Sequence, residues 1–404
     1  MNRREFLRIA GLSLLPLERI GWAASSPGTT KRLVVVFLRG AVDGLSVVAP
    51  YKDPLYYESR PSIAIPRPGA EGGLLDLDGQ FGLHPALSAL MPLWQQKSLA
   101  FIHASGSSDP NRSHFDAQDY MESGTPGIKS TPDGWMNRVL AVLPGKRTPT
   151  SAISVGATLP RIMSGKMTVA NLTLGQNTAQ PMVMDRPVIA KDFDMLYANN
   201  QSLGKTYQAG RNMRSQLLSD LQNDMMAADH GAPTSAGFPS DARMLARMIK
   251  RDPHINIVFL ALGGWDTHVN QGSSHGQLAN HLYPLGEGLA ILAHELGSEF
   301  TNTTVLVMSE FGRTVRENGN GGTDHGHGNV MWLLGGIMGG GKVYGQWPSL
   351  EEIDLYQGRD LEVTTDFRSV ATMVLQQQFR LDDAQLRHIF PAFQANEASL
   401  TGLI

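Results

Sequence analysis

The sequence predicts an α/β protein in which a mostly parallel central sheet is flanked by helices. Short apolar runs over 33–38 and 255–262 are rich in β-branched and aromatic residues, as in strands that are buried on both faces. Apolar residues at helical spacing separate these runs, over 85–96 and 278–296. Strands that alternate with helices along the chain form parallel sheets, and 404 residues are enough for one large domain.

The other predicted elements continue this alternation. Strands are expected at 99–103, 304–308 and 330–334, and helices at 113–122, 135–143, 212–228, 241–250 and 366–379. Pro92 is expected to kink or break the helix over 85–96, because proline lacks a backbone N–H. The stretch around 151–236 mixes short strands with polar segments, so we expect an insertion there within a single domain over 25–404.

Composition excludes several classes of function. Lys and Arg number 34 against 37 Asp and Glu, a formal charge of −3, so no basic excess is present to bind nucleic acid. The chain has no cysteine, which excludes disulfides, thiolate metal ligands and a cysteine nucleophile. Any bound metal must therefore be held by His, Asp, Glu and water.

Residues 1–24 are predicted to be an export signal. The pair Arg3-Arg4 precedes a short apolar stretch over 9–17, and Ala23-Ala24 supplies small residues for cleavage. The stretch is about half of the ~20 residues that span a bilayer, so no transmembrane segment is expected. The pattern resembles a twin-arginine (Tat) signal, with the Tat export machinery as partner and a periplasmic or extracellular location. The alternative is an amphipathic first helix.

Acidic and histidine side chains follow several of the predicted strands. Ligands of open α/β sheets bind beyond the carboxyl ends of the strands. The candidates at this edge are Asp43, Asp266, His268 and Glu310, with His325 and His327 in a loop that can return to it. Such side chains suit a divalent metal, zinc or manganese, as one or two ions.

Each of these residues also has a structural interpretation. Asp43 could form a turn, Asp266 could cap a helix, Glu310 could pair with Arg313 or Arg316, and His325 and His327 could belong to an ordinary loop. Ser113 with Asp116 three residues later is close to a capping box. His114, His84 and His103 are expected to pack or to form hydrogen bonds rather than to bind a metal.

Five segments carry a resemblance to a known family. Residues 39–46, 111–118, 263–268, 309–314 and 323–329 resemble the secreted bacterial family called domain of unknown function 1501. The resemblance covers nearly all of the chain after the signal. That family looks like a branch of the alkaline phosphatase/sulfatase superfamily, which implies a central sheet with a two-metal hydrolytic site.

The resemblance implies a role for each matching residue. Asp43 looks like the carboxylate ligand after the first strand, Ser113 the nucleophile, Asp266 and His268 a ligand pair, and His325 or His327 the last histidine ligand. Glu310 stands where the superfamily usually has an Asp-His pair. The single residue between Asp266 and His268, and the missing histidine beside Glu310, depart from the superfamily pattern.

The predicted function is an exported metal-dependent hydrolase of phosphate or sulfate esters, acting on a small-molecule or glycan ester. Ser113 would attack from a helix start, whose amides favour an anion, and Arg112 would clamp an ester oxygen. One alternative is a non-catalytic protein on the same fold that binds an envelope or extracellular glycan. Another is a sulfatase in which Ser108, in the sequence 108–112, is oxidised to formylglycine, although the usual downstream Thr-Gly is absent.

Overall fold

The computed structural model describes residues 30–145, 147–148, 150–172, 229–336, 338–396 and 398–404. The chain divides into two compact units, Met1–Thr30 and Lys31–Ile404, and all elements below belong to the second. The predicted export signal over 1–24 and the predicted helix over 212–228 lie outside the described residues.

Five strands cover the apolar runs predicted from the sequence, and the other strands of the described residues are shorter. In chain order they are β1 Arg32–Leu38, β2 Val48–Ala49, β3 Leu75–Asp76, β4 Gly82–Leu83, β5 Leu99–Gly106, β6 Ala152–Val155, β7 Ala170–Leu172, β8 Ile257–Leu262, β9 Thr303–Ser309, β10 Asn329–Gly335, β11 Val343–Tyr344 and β12 Thr365–Asp366. Strands β2, β3 and β4 form a small antiparallel sheet, and the others form the central one.

The α-helices of the described residues lie between these strands in the chain, except for the last two, which follow β12. In chain order they are α1 Gly44–Val47, α2 Pro54–Ser59, α3 Met91–Gln95, α4 His114–Ser123, α5 Trp135–Val142, α6 Phe238–Arg251, α7 Gln277–Leu296, α8 Phe367–Phe379 and α9 Asp383–Ile389. Short 3₁₀ helices lie at Pro85–Leu90, Arg161–Met163, Ser235–Gly237, Gly297–Asn302, Glu352–Asp354 and Ala398–Leu400. No helix among the described residues has the length and apolar character needed to cross a bilayer.

The central sheet is mostly parallel, as predicted. Its order is β11-β5-β10-β9-β1-β8-β6-β7, with β12 also paired to β5. The exception is β10, which runs antiparallel to both β5 and β9. Asn329, at the start of β10, therefore pairs with Ser105 near the carboxyl end of β5. The loop before β10 thus lies at the same edge as the ends of the parallel strands, which is where the site forms.

Both faces of β1 are buried, which explains its uninterrupted apolar sequence. Val34, Val36 and Leu38 belong to a core cluster that includes apolar residues of α6 and α7. Leu33, Val35 and Phe37 belong to a second cluster with apolar residues of α5 and α8. Helices therefore flank the sheet on both sides.

The predicted helix over 85–96 is divided in two. A 3₁₀ helix covers Pro85–Leu90, and α3 begins directly after it at Met91. Pro92 lies in the first turn of α3. There its missing N–H breaks no intrahelical hydrogen bond, so the helix restarts at the proline rather than running through it.

The predicted insertion around 151–236 is only partly described. Its first part supplies β6 and β7, which extend the sheet beyond β8. Its last part includes the start of the 3₁₀ helix Ser235–Gly237. Residues 173–228 lie outside the described residues.

Candidate metal centre

Four chain segments meet at the carboxyl edge of the central sheet. Asp266 and His268 follow β8, Glu310 follows β9, His114 opens α4, and His325 precedes β10. The close approach of these segments needs a glycine at position 40, after β1. Its φ is +110°, and a Cβ there would lie 2.7 Å from the Asp266 nitrogen. Any side chain at this position would push β1 and the Asp266 segment apart.

Nε2 of His325 lies close to the Nε2 atoms of two other histidine rings. Nε2 of His325 lies 2.9 Å from Nε2 of His114 and 3.0 Å from Nε2 of His268. The rings of His114 and His325 are nearly perpendicular, with centroids 4.3 Å apart. Two nitrogens bound at about 2.0–2.1 Å to one tetrahedral zinc lie roughly 3.3 Å apart, so Nε2 of His325 has nearly the separation of a co-ligand from each of the other two nitrogens.

The opposite nitrogen of each ring contacts an oxygen acceptor. The acceptors are Glu310 for His114 at 2.7 Å, Asp324 for His268 at 3.1 Å and the Arg112 carbonyl for His325 at 2.9 Å. Carboxylates and carbonyls only accept hydrogen bonds, so each Nδ1 donates. When such a ring is neutral, its lone pair lies on Nε2 and is available to a metal. Oriented in this way, the rings have the arrangement of metal-binding histidines with their outer hydrogen bonds.

Asp266 completes the donor set. Its Oδ1 accepts from Nη1 of the buried Arg313 at 2.6 Å and lies 3.0 Å from Nε2 of His268. Its Oδ2 is buried, lies 3.6 Å from Nε2 of His114, and has no hydrogen-bond partner among the described residues. A buried carboxylate oxygen without a partner is costly, and a bound cation would satisfy it.

The charges of the cluster are strongly coupled. Burial by itself lowers the pKa of His114, but Asp266 and Glu310 together raise it to about 9. Burial raises the pKa of Asp266, and its contacts with the three histidines and Arg313 hold that pKa well below its usual range. Burial, with the positive charges of His114 and Arg313, lowers the pKa of His325. The site thus keeps an ionised carboxylate beside a neutral imidazole.

These residues fit a divalent metal. Ligand atoms of His114, Asp266 and His325 all lie within 4.8 Å of one another. Beside this group, Nε2 of His268 lies 3.0 Å from Nε2 of His325 and 3.0 Å from Oδ1 of Asp266. Lone pairs that face each other at about 3 Å repel unless a proton or a cation lies between them. Imidazole nitrogens with one carboxylate oxygen are donors that zinc and manganese both accept.

Two sequence-predicted ligands lie outside this cluster of Nε2 atoms. Glu310 is fully buried, and its Oε1 accepts from the Gly40 amide, the Gln118 side chain and Nδ1 of His114. Because Nδ1 is the ring nitrogen that faces away from the other histidines, Glu310 orients the His114 ring without joining the cluster. His327 packs its ring against Tyr356, with centroids 4.3 Å apart, and burial lowers its pKa. Of the two candidate loop histidines, the structure brings only His325 to the cluster.

Asp43 also differs from the sequence expectation. Its carboxylate is fully buried and forms an ion pair with Arg60, also fully buried, at 2.6 Å. Ser46 and Gln271 donate to the same carboxylate at 2.7 Å each. Burial raises the pKa of Asp43, and Arg60 with these hydrogen bonds holds it below its usual value.

Ser113 lies between two residues that build the cluster. It is the N-cap residue of α4, and within the described residues its hydroxyl does not cap the helix, so the capping box expected with Asp116 is not formed. Its backbone N–H donates to Asn111 at 2.7 Å. The preceding carbonyl orients His325, and the following residue is His114. Ser113 is exposed, with its hydroxyl not used by the helix.

Arg112 and Ser108 contact other parts of the chain. Nε and Nη2 of Arg112 donate to the buried Asp360 at 3.0 and 2.6 Å. The Ser108 hydroxyl accepts from Arg368 at 3.3 Å. Both residues therefore lie in the loop that leads to α4, beside residues from the C-terminal third of the chain.

Sequence reasoning missed His114 and Asp324. His114 looked like a packing residue, but it follows the N-cap of a helix at the ligand-binding edge, and that position was a usable signal. The only sequence signal for Asp324 is its position directly before His325. Asp229 was also missed: it accepts from the Gly264 amide at 2.8 Å, and burial raises its pKa to about 7.

Asp324→Asn is expected to weaken metal binding about 10–100-fold, since the carboxylate that orients His268 becomes a neutral amide. The side chain of Asp324 is 56% exposed, so the fold should tolerate the change. The measurement is metal affinity by competition with a chromophoric chelator. Asp354→Asn, at another exposed aspartate, is the matched control and should leave the affinity unchanged. Equal affinities for the two variants would contradict the role of Asp324.

The fold and the site define an α/β protein with a histidine-rich candidate metal centre at the carboxyl edge of its sheet. The chain belongs to the family described as protein of unknown function (DUF1501), which matches residues 30–390. A comparison with curated protein sequences found no match.

Several solved structures are similar at low identity. Ps i-CgsB in complex with k-i-k-neocarrahexaose is 11% identical, with 88% of this chain and 74% of that chain covered and a TM-score of 0.43. The C-terminal periplasmic domain of EcEptC from Escherichia coli is 11% identical, with coverages of 94% and 93% and a TM-score of 0.43. A protein in the alkaline phosphatase superfamily from Vibrio parahaemolyticus is 10% identical, with coverages of 87% and 67% and a TM-score of 0.41. These TM-scores are below 0.5, so the proposals below rest on the residues of this chain.

Proposed function

We propose that this protein is an exported, metal-dependent hydrolase of phosphate or sulfate esters. The observation that carries the proposal is the grouping of ligand atoms of His114, His325 and Asp266 within 4.8 Å of one another, with one Asp266 oxygen that accepts no hydrogen bond, at the start of the helix that follows Ser113. His114, His268, His325 and Asp266 would hold the ion, zinc or manganese. A divalent ion supplies Lewis-acid polarisation of the ester and lowers the pKa of a nearby hydroxyl or water.

Ser113 is the proposed nucleophile. Its hydroxyl is not used as a helix cap, so it is available to attack phosphorus or sulfur. The amides at the start of α4, a helix of ten residues, favour the negative charge of the ester. Arg112 adds a positive charge next to Ser113 in the chain, and Asp360 fixes its guanidinium. Arg112 would thus act on a non-bridging ester oxygen.

The hydrolase proposal is tested with the full chain, loaded with zinc or manganese and assayed on p-nitrophenyl phosphate and p-nitrophenyl sulfate. We expect the loaded protein to hydrolyse one of the two esters, and expect chelation to abolish this activity. A metal-loaded protein that hydrolyses neither ester would overturn the assignment and favour a binding function.

One observation favours a non-catalytic glycan-binding protein as the second candidate. A cavity of about 590 Å³ lies along α4, with the exposed Phe115 ring stacked near His230 at its edge. The charges that line it are paired with one another: Lys129 with Asp116, Arg161 with Asp119 and Arg39 with Glu122. A cavity with self-neutralised charges and an aromatic ring suits an uncharged, hydroxyl-rich group better than an anion. In the hydrolase proposal, the same cavity would hold the organic part of a glycan ester.

Export through the Tat machinery to the periplasm or beyond is part of this proposal. It rests on the arginine pair and the short apolar stretch within residues 1–24.

A further inference from the structure

Asp43 lies at the ligand-binding edge, but both of its oxygens accept hydrogen bonds. Nη1 and Nη2 of Arg60 donate to Oδ2 and Oδ1 at 2.6 and 3.0 Å. Ser46 and Gln271 also donate to Oδ2, each at 2.7 Å. Oδ2 thus accepts three hydrogen bonds and Oδ1 accepts one, so both oxygens of this buried carboxylate have partners, one of them a bidentate guanidinium.

Arg60 uses all of its donors. Besides Asp43, its guanidinium donates to the carbonyls of Val315 and Thr314, at 2.8 and 2.9 Å, and to the Ser46 hydroxyl at 3.1 Å. A guanidinium has five N–H groups, and each of them finds an acceptor here. Arg60 is fully buried, so its positive charge is held permanently against Asp43. It is built into the fold as a fixed cation.

Asp266 differs from Asp43 because one of its two oxygens accepts no hydrogen bond and is available to a metal. It also has a buried guanidinium partner, Arg313, but that contact takes only Oδ1. Its Oδ2 has no hydrogen-bond partner among the described residues. The two aspartates belong to one buried network, in which Gln271 and Thr323 link Asp43 to Arg313. The network therefore closes one carboxylate to a metal and leaves the other open.

We propose that Arg60 takes the place of a second metal ion, and that the protein binds a single divalent ion, held by the three histidines and Asp266. This inference rests on the proposed function, because that function includes the binding of a metal ion at these residues. Arg60 supplies Asp43 with the positive charge that an ion would otherwise bring, because a buried carboxylate needs a partner. Asp43, the first carboxylate expected to bind metal from the sequence, is thereby a structural residue rather than a ligand.

The test is the number of metal ions per chain. The full chain is loaded with zinc or with manganese, freed of excess ion, and analysed by inductively coupled plasma and native mass spectrometry. We expect one ion per chain, one ion in Asp43→Asn, and none in His325→Ala. Two ions per chain, no ion in the unaltered chain, or loss of the ion in a folded Asp43→Asn variant would overturn the inference.

A double variant keeps the test informative if Asp43→Asn fails to fold. Asp43→Leu with Arg60→Met removes both charges together, so that neither remains buried without its partner. We expect this protein to bind one zinc ion with an affinity within about threefold of the unaltered chain, since Asp43 is not a ligand. A loss of zinc affinity of about a hundredfold or more would show that Asp43 is a ligand and overturn the inference.

The outcome is separable from the hydrolase proposal. A chain that binds one ion and hydrolyses neither ester supports the single-ion inference and defeats the hydrolase. A chain that hydrolyses an ester with two bound ions supports the hydrolase and defeats the inference.

Discussion

A His325→Ala variant is expected to lose its bound metal and at least about a thousandfold of its ester-hydrolysing activity. Nε2 of His325 lies within 3.0 Å of Nε2 of both other histidines, so its removal takes away the central nitrogen of the donor set. The ring is only partly buried, with 27% of the side chain exposed, so the fold should survive the change. Metal content and initial rates on the p-nitrophenyl esters are the two measurements.

His327→Ala is the matched control for this prediction. It removes an imidazole from the same loop, two residues away, but that ring packs on Tyr356. We expect the His327→Ala variant to retain its metal and most of its activity. If instead His327→Ala releases the metal and His325→Ala retains it, the centre has been assigned to the wrong histidine.

A Ser113→Ala variant is expected to bind metal normally and to lose on the order of a thousandfold in turnover. The hydroxyl caps nothing in the described helix, so its removal should cost little stability, whereas a nucleophile cannot be replaced by a methyl group. Turnover under saturating ester, metal content and the thermal midpoint separate a chemical role from a structural one.

Ser108→Ala is the control that separates the two candidate serines. Ser108 accepts a hydrogen bond from Arg368, and its removal should change turnover by less than about threefold. The reverse ranking, or a formylglycine mass change at Ser108, would favour the sulfatase alternative. Small, equal effects of both substitutions on an active protein would identify water as the nucleophile.

The fold class was predictable because its signal is local. The apolar runs that became β1 and β8 are buried on both faces, and continuous burial leaves continuous apolar sequence. Proline at position 92 likewise affects only its own helix, and the predicted helix over 85–96 is divided beside it, as expected. The direction of β10 was not predictable, since a short buried strand has the same sequence character in either direction.

The candidate site was predictable only in part. Asp266, His268 and Glu310 follow strands, and His325 precedes one. The rule that ligands bind at the carboxyl edge of the sheet therefore predicted that these residues lie close together. The role of each of these residues depends on angles and distances in the folded protein, which the spacing of residues along the sequence does not determine. In the structure, Glu310 accepts a hydrogen bond from Nδ1 of His114 and so orients that ring. From the sequence, Glu310 was expected to bind the metal and His114 to pack or to form hydrogen bonds.

The sequence by itself determined the α/β class, the family, the absence of thiol chemistry and the edge of the sheet at which polar side chains gather. Each of these follows from composition, local periodicity or a short motif. Only the tertiary structure decided which side chains are open to a metal. Asp43 and Asp266 both follow parallel strands, but Arg60, from another segment, donates to both oxygens of the first, while Arg313 leaves one oxygen of the second without a hydrogen bond. The physical reason is that a carboxylate's availability depends on every donor that reaches it, and those donors come from distant parts of the chain.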